Sequence, residues 1–149
     1  MQDNRKESIS IYNASAPVIR ASAALTTSET ACVGPGTDDS GYIPIGHAPL
    51  ISLWLSVDFG SATGIYIIPK YSDAEQEGES PELAMATSDG VTTLSPHKLY
   101  LPDLGSGTWT GVVTLPTPAA TFVRIYLQSI GASTTATSAK ISLAPAGGV

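Results

Sequence analysis

Residues 50 to 72, LISLWLSVDFGSATGIYIIPKYS, alternate apolar and polar side chains with little interruption. Ile51, Leu53, Leu55, Val57 and Phe59 fall on one side, and Ser52, Trp54, Ser56 and Asp58 on the other. Successive side chains of a strand leave opposite faces, so this period of two predicts a strand buried on one face. Ile65, Ile67 and Tyr71 against Tyr66, Ile68 and Lys70 predict a second strand. Between them, Gly60-Ser61-Ala62-Thr63-Gly64 has the length of a hairpin loop, with glycine at both ends. The expectation is a hairpin. An isolated hairpin is marginal in water, so it must pack on other strands. Pro69 cannot donate to a ladder, which predicts that the second arm is a sheet edge or is bulged near its end.

The rest of the chain supplies short extended pieces. They are Ile9 to Tyr12, Pro17 to Leu25, Thr26 to Val33, Tyr42 to Ile45, Leu83 to Thr87, Val91 to Leu94 and Lys98 to Leu101. Trp109 to Leu115 follows, with Trp109, Val113 and Leu115 on one face. In Phe122 to Gln128, Val123, Ile125 and Leu127 face inward, while Arg124, Tyr126 and Gln128 face out. Ala139, Ile141 and Leu143 close the chain as a last strand. Fourteen glycines and eleven prolines punctuate these pieces, and no segment holds a period of 3.6. GPGTDDSG, residues 34 to 41, reads as a turn, because a dinucleotide motif needs a third glycine where Asp39 stands and a calcium loop needs more oxygen ligands. The fold class expected is all-β: a two-sheet antiparallel sandwich of eight or nine short strands, either jelly-roll or immunoglobulin-like. Residues 1 to 8 form a polar arm, and residues 9 to 149 a single domain.

Charge narrows the function classes. The net charge is −6, which does not attract a phosphate backbone and argues against nucleic acid. No stretch approaches the roughly 18 apolar residues of a membrane span. MQDNRKES lacks the apolar core of a secretory signal, so assembly in a cytoplasm is expected. Charged residues make up 13%, about half the roughly 25% of an ordinary domain. Interface cores are depleted of charge in this way, so part of the exterior is expected to meet other chains. Asp73 to Glu82 carries five acids and reads as a solvated loop, since nothing fixes a ligand geometry.

No catalytic residue, metal ligand or cofactor is expected. The histidines are His47 and His97; His97 lies six residues before Asp103, with Gly105-Ser106-Gly107 following, but the GxSxG spacing of a nucleophile elbow does not occur. Cys32, His47 and His97 lack zinc-ligand spacing, and a single cysteine cannot form an internal disulfide. Cys32 is expected to be a small buried hydrophobe. Three aromatic rings remain: Trp54 and Tyr66 on the polar faces of the expected hairpin, and Tyr126 on that of a neighbouring strand. Exposed together they would form a patch for a partner or a sugar; the alternative is that a second sheet or long loop covers them.

The stretch LWLSVDFGSATGIYIIPKYSD resembles a pattern in small virion proteins of tailed bacteriophages. There a strand ending in VDF, a GSATG-like loop and a strand ending in YS-D are followed by a variable loop. ASAALTTSETACVG is similar to the strand that precedes it, and TFVRIYLQSIGASTTATSAKISLA to the closing hairpin of such proteins. The likeness spans much of residues 20 to 145. It implies a non-enzymatic β-sandwich component of the virion, assembled in the host cytoplasm. The first expectation is a capsid decoration (cement) protein that binds the major capsid protein as a symmetric homo-oligomer such as a trimer. Arg5 and Lys6 of the arm, with Trp54, Tyr66 and Tyr126, are the candidate assembly contacts. A tail or neck component is the second expectation. A carbohydrate-binding module stacking sugars on Trp54, Tyr66 or Trp109 is the third. The acidic loop departs from the virion pattern, which leaves its role open.

Overall fold

A computed structural model describes residues 16–46, 48–72, 98–105, 107–116 and 121–143. The polar arm with Arg5 and Lys6, the extended pieces expected at residues 9–12, 83–87 and 91–94, the acidic loop, His47 and His97 lie outside the described residues. Nine strands are described: β1 (Val18–Ala23), β2 (Thr30–Ala31), β3 (Tyr42–Pro44), β4 (Leu50–Asp58), β5 (Gly64–Ser72), β6 (Leu99–Pro102), β7 (Thr108–Pro116), β8 (Phe122–Ile130) and β9 (Ala136–Leu143). They form two antiparallel sheets packed face to face, a β-sandwich. One sheet has the order β1-β9-β4-β7. The other has the order β2-β8-β5-β6, with β3 sharing the β2 edge of β8.

The pairing is nested. β5 pairs with β6, β4 with β7, β3 and β2 with β8, and β1 with β9. Counting β2 and β3 as one interrupted strand, a single long antiparallel ribbon has been folded at its middle and rolled into two sheets. The cross-pairs β4·β9 and β5·β8 hold the roll closed. This is the order of a jelly roll, so the choice left open between jelly-roll and immunoglobulin-like sandwiches falls on the former.

That order corrects the hairpin expected over residues 50 to 72. β4 and β5 belong to different sheets, and Gly60 to Thr63 carries the chain across the sandwich as an arch. The closing hairpin expected in residues 121 to 144 is corrected in the same way, since β8 and β9 also lie in opposite sheets. The buried residues are nevertheless those anticipated. Ile51, Leu53, Leu55 and Val57 of β4 face Ile65, Ile67 and Tyr71 of β5 across one core, joined by Val123, Ile125 and Leu127 of β8 and by Ala139 and Ile141 of β9. A hairpin and an arch bury the same alternate side chains; they differ in whether the two arms lie side by side or face to face.

Both arches stand at the same end of the sandwich and brace each other. Thr63 N donates to Ile130 O at 2.9 Å, and Thr135 N donates to Asp58 O at 2.9 Å. Phe59, 1% exposed, plugs the core beneath them. Pro69 pairs in register with Ile125 without a bulge. β6 reaches only as far as Ile67, so Pro69 lies where β5 is an edge among the described residues. Of the strand expected at Thr26 to Val33, Thr30 and Ala31 form β2, flanked by backbone bonds from Ser129 N to Thr26 O and from Cys32 N to Ile125 O. Leu25 instead ends the β1 segment in the core, its N–H donating to Thr134 Oγ1 and its carbonyl accepting from Thr134 N.

Gly60 has a φ of +58°, and a Cβ there would press on Thr135 Oγ1 in the neighbouring arch. Gly46 has a φ of +55° with open space around it. Gly46→Ala is expected to cost about 1 kcal/mol from the left-handed backbone alone. Gly60→Ala adds the collision and is expected to cost at least ~2 kcal/mol. Urea melts of the two variants check this, and equal losses would show that the arches do not bear on each other.

Candidate interaction surface

The outer face of the β1-β9-β4-β7 sheet is rich in small hydroxyl side chains. Alternation sends Ser52, Ser56 and Asp58 of β4 outward, and register sets Ser52 opposite Thr114 and Ser56 opposite Thr110 of β7. On the other side Ser52 faces Ser142, and Ser56 faces Ser138, of β9. Within this lawn Trp54 lies between Val112 and Lys140. Its indole N–H donates to Ser142 Oγ at 3.0 Å, which ties the ring to the neighbouring strand β9. Leu50, Trp54 and Val112 are each about 40% exposed. Trp54 and Val112 form an apolar cross-strand pair with Lys140 at one flank, and Leu50 stands two rows away beyond Ser52 and Thr114.

The outer face of the other sheet is different chemistry. Tyr42, Arg124 and Lys70 occupy one cross-strand row, Tyr126 and Ile68 the next, and Gln128, Tyr66 and Tyr100 the third. Lys70 Nζ stands 4.1 Å from the centre of the Tyr126 ring and 2.5 Å from Glu29 Oε1. The Arg124 guanidinium carbon lies 5.1 Å from the Tyr126 ring and 4.8 Å from the Tyr42 ring. Lys98 Nζ is 5.2 Å from the Tyr66 ring, which in turn meets the Tyr100 ring at 5.9 Å. Cations held over ring faces contribute roughly 0.5–2 kcal/mol each, more when water is excluded. Three of the chain's seven Lys and Arg, and four of its six tyrosines, gather here. One end of the array is closed: Tyr42, Arg124 and Ile68 are buried. The other end is open, with Tyr100 57% exposed.

The three rings expected to share a patch are therefore separated. Trp54 is outside one sheet, while Tyr66 and Tyr126 are outside the other. The error follows from the hairpin reading, which put β4 and β5 in one sheet. Tyr66 and Tyr126 do share a face, in adjacent cross-strand rows, and each is held by a cation. Trp109 is not available as a stacking platform. Its indole folds over Gly111, where a Cβ would lie 2.5 Å from the ring, and packs against the core. Tyr42, Lys70, Lys98, Tyr100 and Arg124 were not singled out from sequence. The alternation YxIxK in β5 and RxYxQ in β8 carried a signal, but its meaning depends on the pairing of those two strands.

Among the described residues no group of three His, Cys, Asp or Glu side chains could hold a metal ion, and no helix is long and apolar enough to cross a membrane. Cys32 is fully buried, its N–H donating to Ile125 O at 2.8 Å. Burial pushes its thiol up to about 12, partly opposed by the charge of Arg20. Burial also raises the Tyr71 hydroxyl. A group whose folded pKa is raised stabilises fully below its unfolded value and loses that contribution as pH rises toward the folded one. Stability is thus expected to fall between pH 9, the ordinary thiol value, and about 12. Each proton released on unfolding in that window adds a slope of ~1.4 kcal/mol per pH unit. Denaturant melts at successive pH values check this. Cys32→Ala should flatten the slope without abolishing the part due to Tyr71, and the wild-type thiol should resist aromatic disulfide reagents at pH 8 until the protein is unfolded.

Compared with known proteins, the chain matches no family model, no curated protein and no solved structure.

Proposed function

We propose that this chain is a non-enzymatic structural protein of a tailed-phage virion, a capsid decoration protein that binds the major capsid protein as a symmetric homo-oligomer in particles assembled in the host cytoplasm. The observation that carries the reading is the outer face of the β1-β9-β4-β7 sheet. It is a broad, hydroxyl-rich surface with exposed apolar side chains at Leu50, Trp54 and Val112 and little charge. Such a face is poorly matched to steering a charged ligand and well matched to shallow contact with another protein. The likeness of residues 20 to 145 to small virion proteins points the same way. Repetition over a symmetric shell turns weak individual contacts into firm occupancy. In this reading the arm, with Arg5 and Lys6, reaches a neighbouring subunit or the shell, and Trp54 lies against a partner. Tyr66 and Tyr126 belong to the opposite face and serve a second contact.

A tail or neck position uses the same sandwich in smaller rings. A carbohydrate-binding role draws support from a separate observation, the tilted Tyr66 and Tyr100 rings beside Lys98, which suit stacking on a sugar.

Densitometry of purified particles against their major capsid protein separates these readings. Copies comparable in number to the capsid subunits are expected; a few or a dozen copies assign the chain to the tail or neck, and its absence from particles overturns the virion reading. Removal of residues 1–8 is expected to abolish particle binding with the melting temperature unchanged, and full decoration by the truncated protein refutes the role of the arm. A glycan array with binding lost in Tyr100→Ala would instead support the sugar reading.

A further inference from the structure

Sheets end in edges, and an unguarded edge recruits another strand. Three of the edges described here are guarded. β1 carries Arg20 and shifts register twice against β9. β2 and β3 are two and three residues long, and β3 ends in Pro44. β6 is four residues long, ends in Pro102 and follows Lys98, and the part of β5 beyond it contains Pro69 and Lys70.

The fourth edge has none of these devices. β7 pairs with β4 over nine consecutive positions with no shift. Its sequence, TWTGVVTLP, has no charge, and its one proline is the last residue. Among the described residues no strand pairs with its far side. Every second backbone N–H and C=O of Trp109–Leu115 points to that side.

We propose that β7 is the edge through which a second copy of this chain docks, antiparallel and centred on Val112, continuing one sheet across two subunits. The strand is complementary to itself in that register. Val112 meets its counterpart, Thr110 faces Thr114, Gly111 faces Val113, and Trp109 faces Leu115. Paired threonines and paired β-branched side chains stabilise facing strands, and no like charges meet. On the outer face Trp54 is already in register with Val112. Docking therefore joins the two apolar pairs into one row, Trp54, Val112, Val112, Trp54. A strand with no charge has nothing with which to select an unlike partner, whereas the two-fold match selects its own copy.

This deepens the homo-oligomer part of the proposed function and rests on that part alone. One strand pair buries less than the ~1,000 Å² of a stable complex, so association is expected at concentrations on the order of 0.1 mM. Sedimentation velocity on the purified full chain over that range is expected to show a monomer–dimer equilibrium. Val112→Lys and Thr114→Lys, both at exposed positions, should each weaken it at least about tenfold with unchanged circular dichroism. Using two separate sites keeps the test valid if one variant misfolds. Val112→Cys should cross-link to itself under mild oxidation, while Thr110→Cys, whose opposite residue is Thr114, should not. A protein that stays monomeric to about 1 mM, lysine variants that associate like wild type, or equal cross-linking at the two positions would overturn the proposal. Each result is independent of particle binding: a dimer absent from virions leaves this inference standing, and a monomer bound to virions refutes it alone.

Discussion

The sandwich depends on β4 and β5 standing face to face, each already paired within its own sheet. β4 is hydrogen-bonded to β7 and β9, and β5 to β8 and, over its first half, to β6. Backbone polar groups are satisfied in the plane of each sheet, which leaves the space between sheets to side chains alone. Leu53, Ile65, Ile67 and Ile125 are fully shut away from water there, and burying such a side chain contributes roughly 1.5–3 kcal/mol. Everything else in the roll follows from keeping these two strands opposed. The arch holds them at one end, and the cross-pairs to β9 and β8 close the sides. The cost lies in chain entropy, because β1 must find β9 and β3 must find β8 across most of the sequence.

Strand positions were legible because alternation is local. β4, β7, β8 and β9 fall within a few residues of where the sequence places them, and Ile51, Leu53, Leu55, Val57, Val123, Ile125 and Leu127 point inward as read. Strand partners were not legible, since a five-residue glycine-flanked loop serves an arch as well as a hairpin. Two features of the segment itself favour the arch in retrospect. Phe59 continues the inward set of β4 directly into the crossing, where a hairpin turn would leave it in water. Pro69 requires an open side at a point where a central hairpin arm would be paired on both. The surface suffered most from the missing topology. Whether Trp54 and Tyr66 share a face depends wholly on which sheet each strand joins, and Arg124 is buried by Tyr42, which arrives from 82 positions earlier in the chain.

The two outer faces are stiffened by different means, and this bears on what each can do. On the β8-β5-β6 side, cations and rings are interleaved so that each long side chain is already held: Lys70 by Glu29 and Tyr126, Lys98 by Tyr66. Groups ordered in advance lose little further entropy on binding, and they discriminate by charge. On the β4-β7 side the serines and threonines are short. They have little entropy to lose and little charge to desolvate, and Trp54 is locked by its bond to Ser142. A face of that kind accepts a flat protein surface at low cost without choosing strongly among partners. Choice then has to come from geometry, which is what an edge strand in a fixed register provides.

Local backbone chemistry decides where charge sits in the roll. Among the described residues the cations Arg20, Lys70, Arg124 and Lys140 sit within strands and Lys98 just ahead of β6, whereas the acids lie at strand ends and turns. Three of those acids are turn-formers. Asp38 Oδ1 accepts from Ser40 N and Tyr42 N at 2.9 and 2.8 Å, Asp58 Oδ1 from Gly60 N at 3.3 Å, and Asp103 Oδ1 from Gly105 N at 2.9 Å. An aspartate at a turn replaces a missing ladder bond by accepting from the backbone two residues on, which is why turns select it. A rolled ribbon has many turns and therefore collects such acids, while the strand cations Arg20, Lys70 and Arg124 each meet a carbonyl or a ring, as Thr137 O receives Arg20. Among the described residues charge balances, five acids against five cations, and the net charge of −6 comes from the rest of the sequence. The sheet faces are where partner chemistry has to be sought: one is locally cationic and aromatic and the other nearly neutral, despite the overall excess of acids.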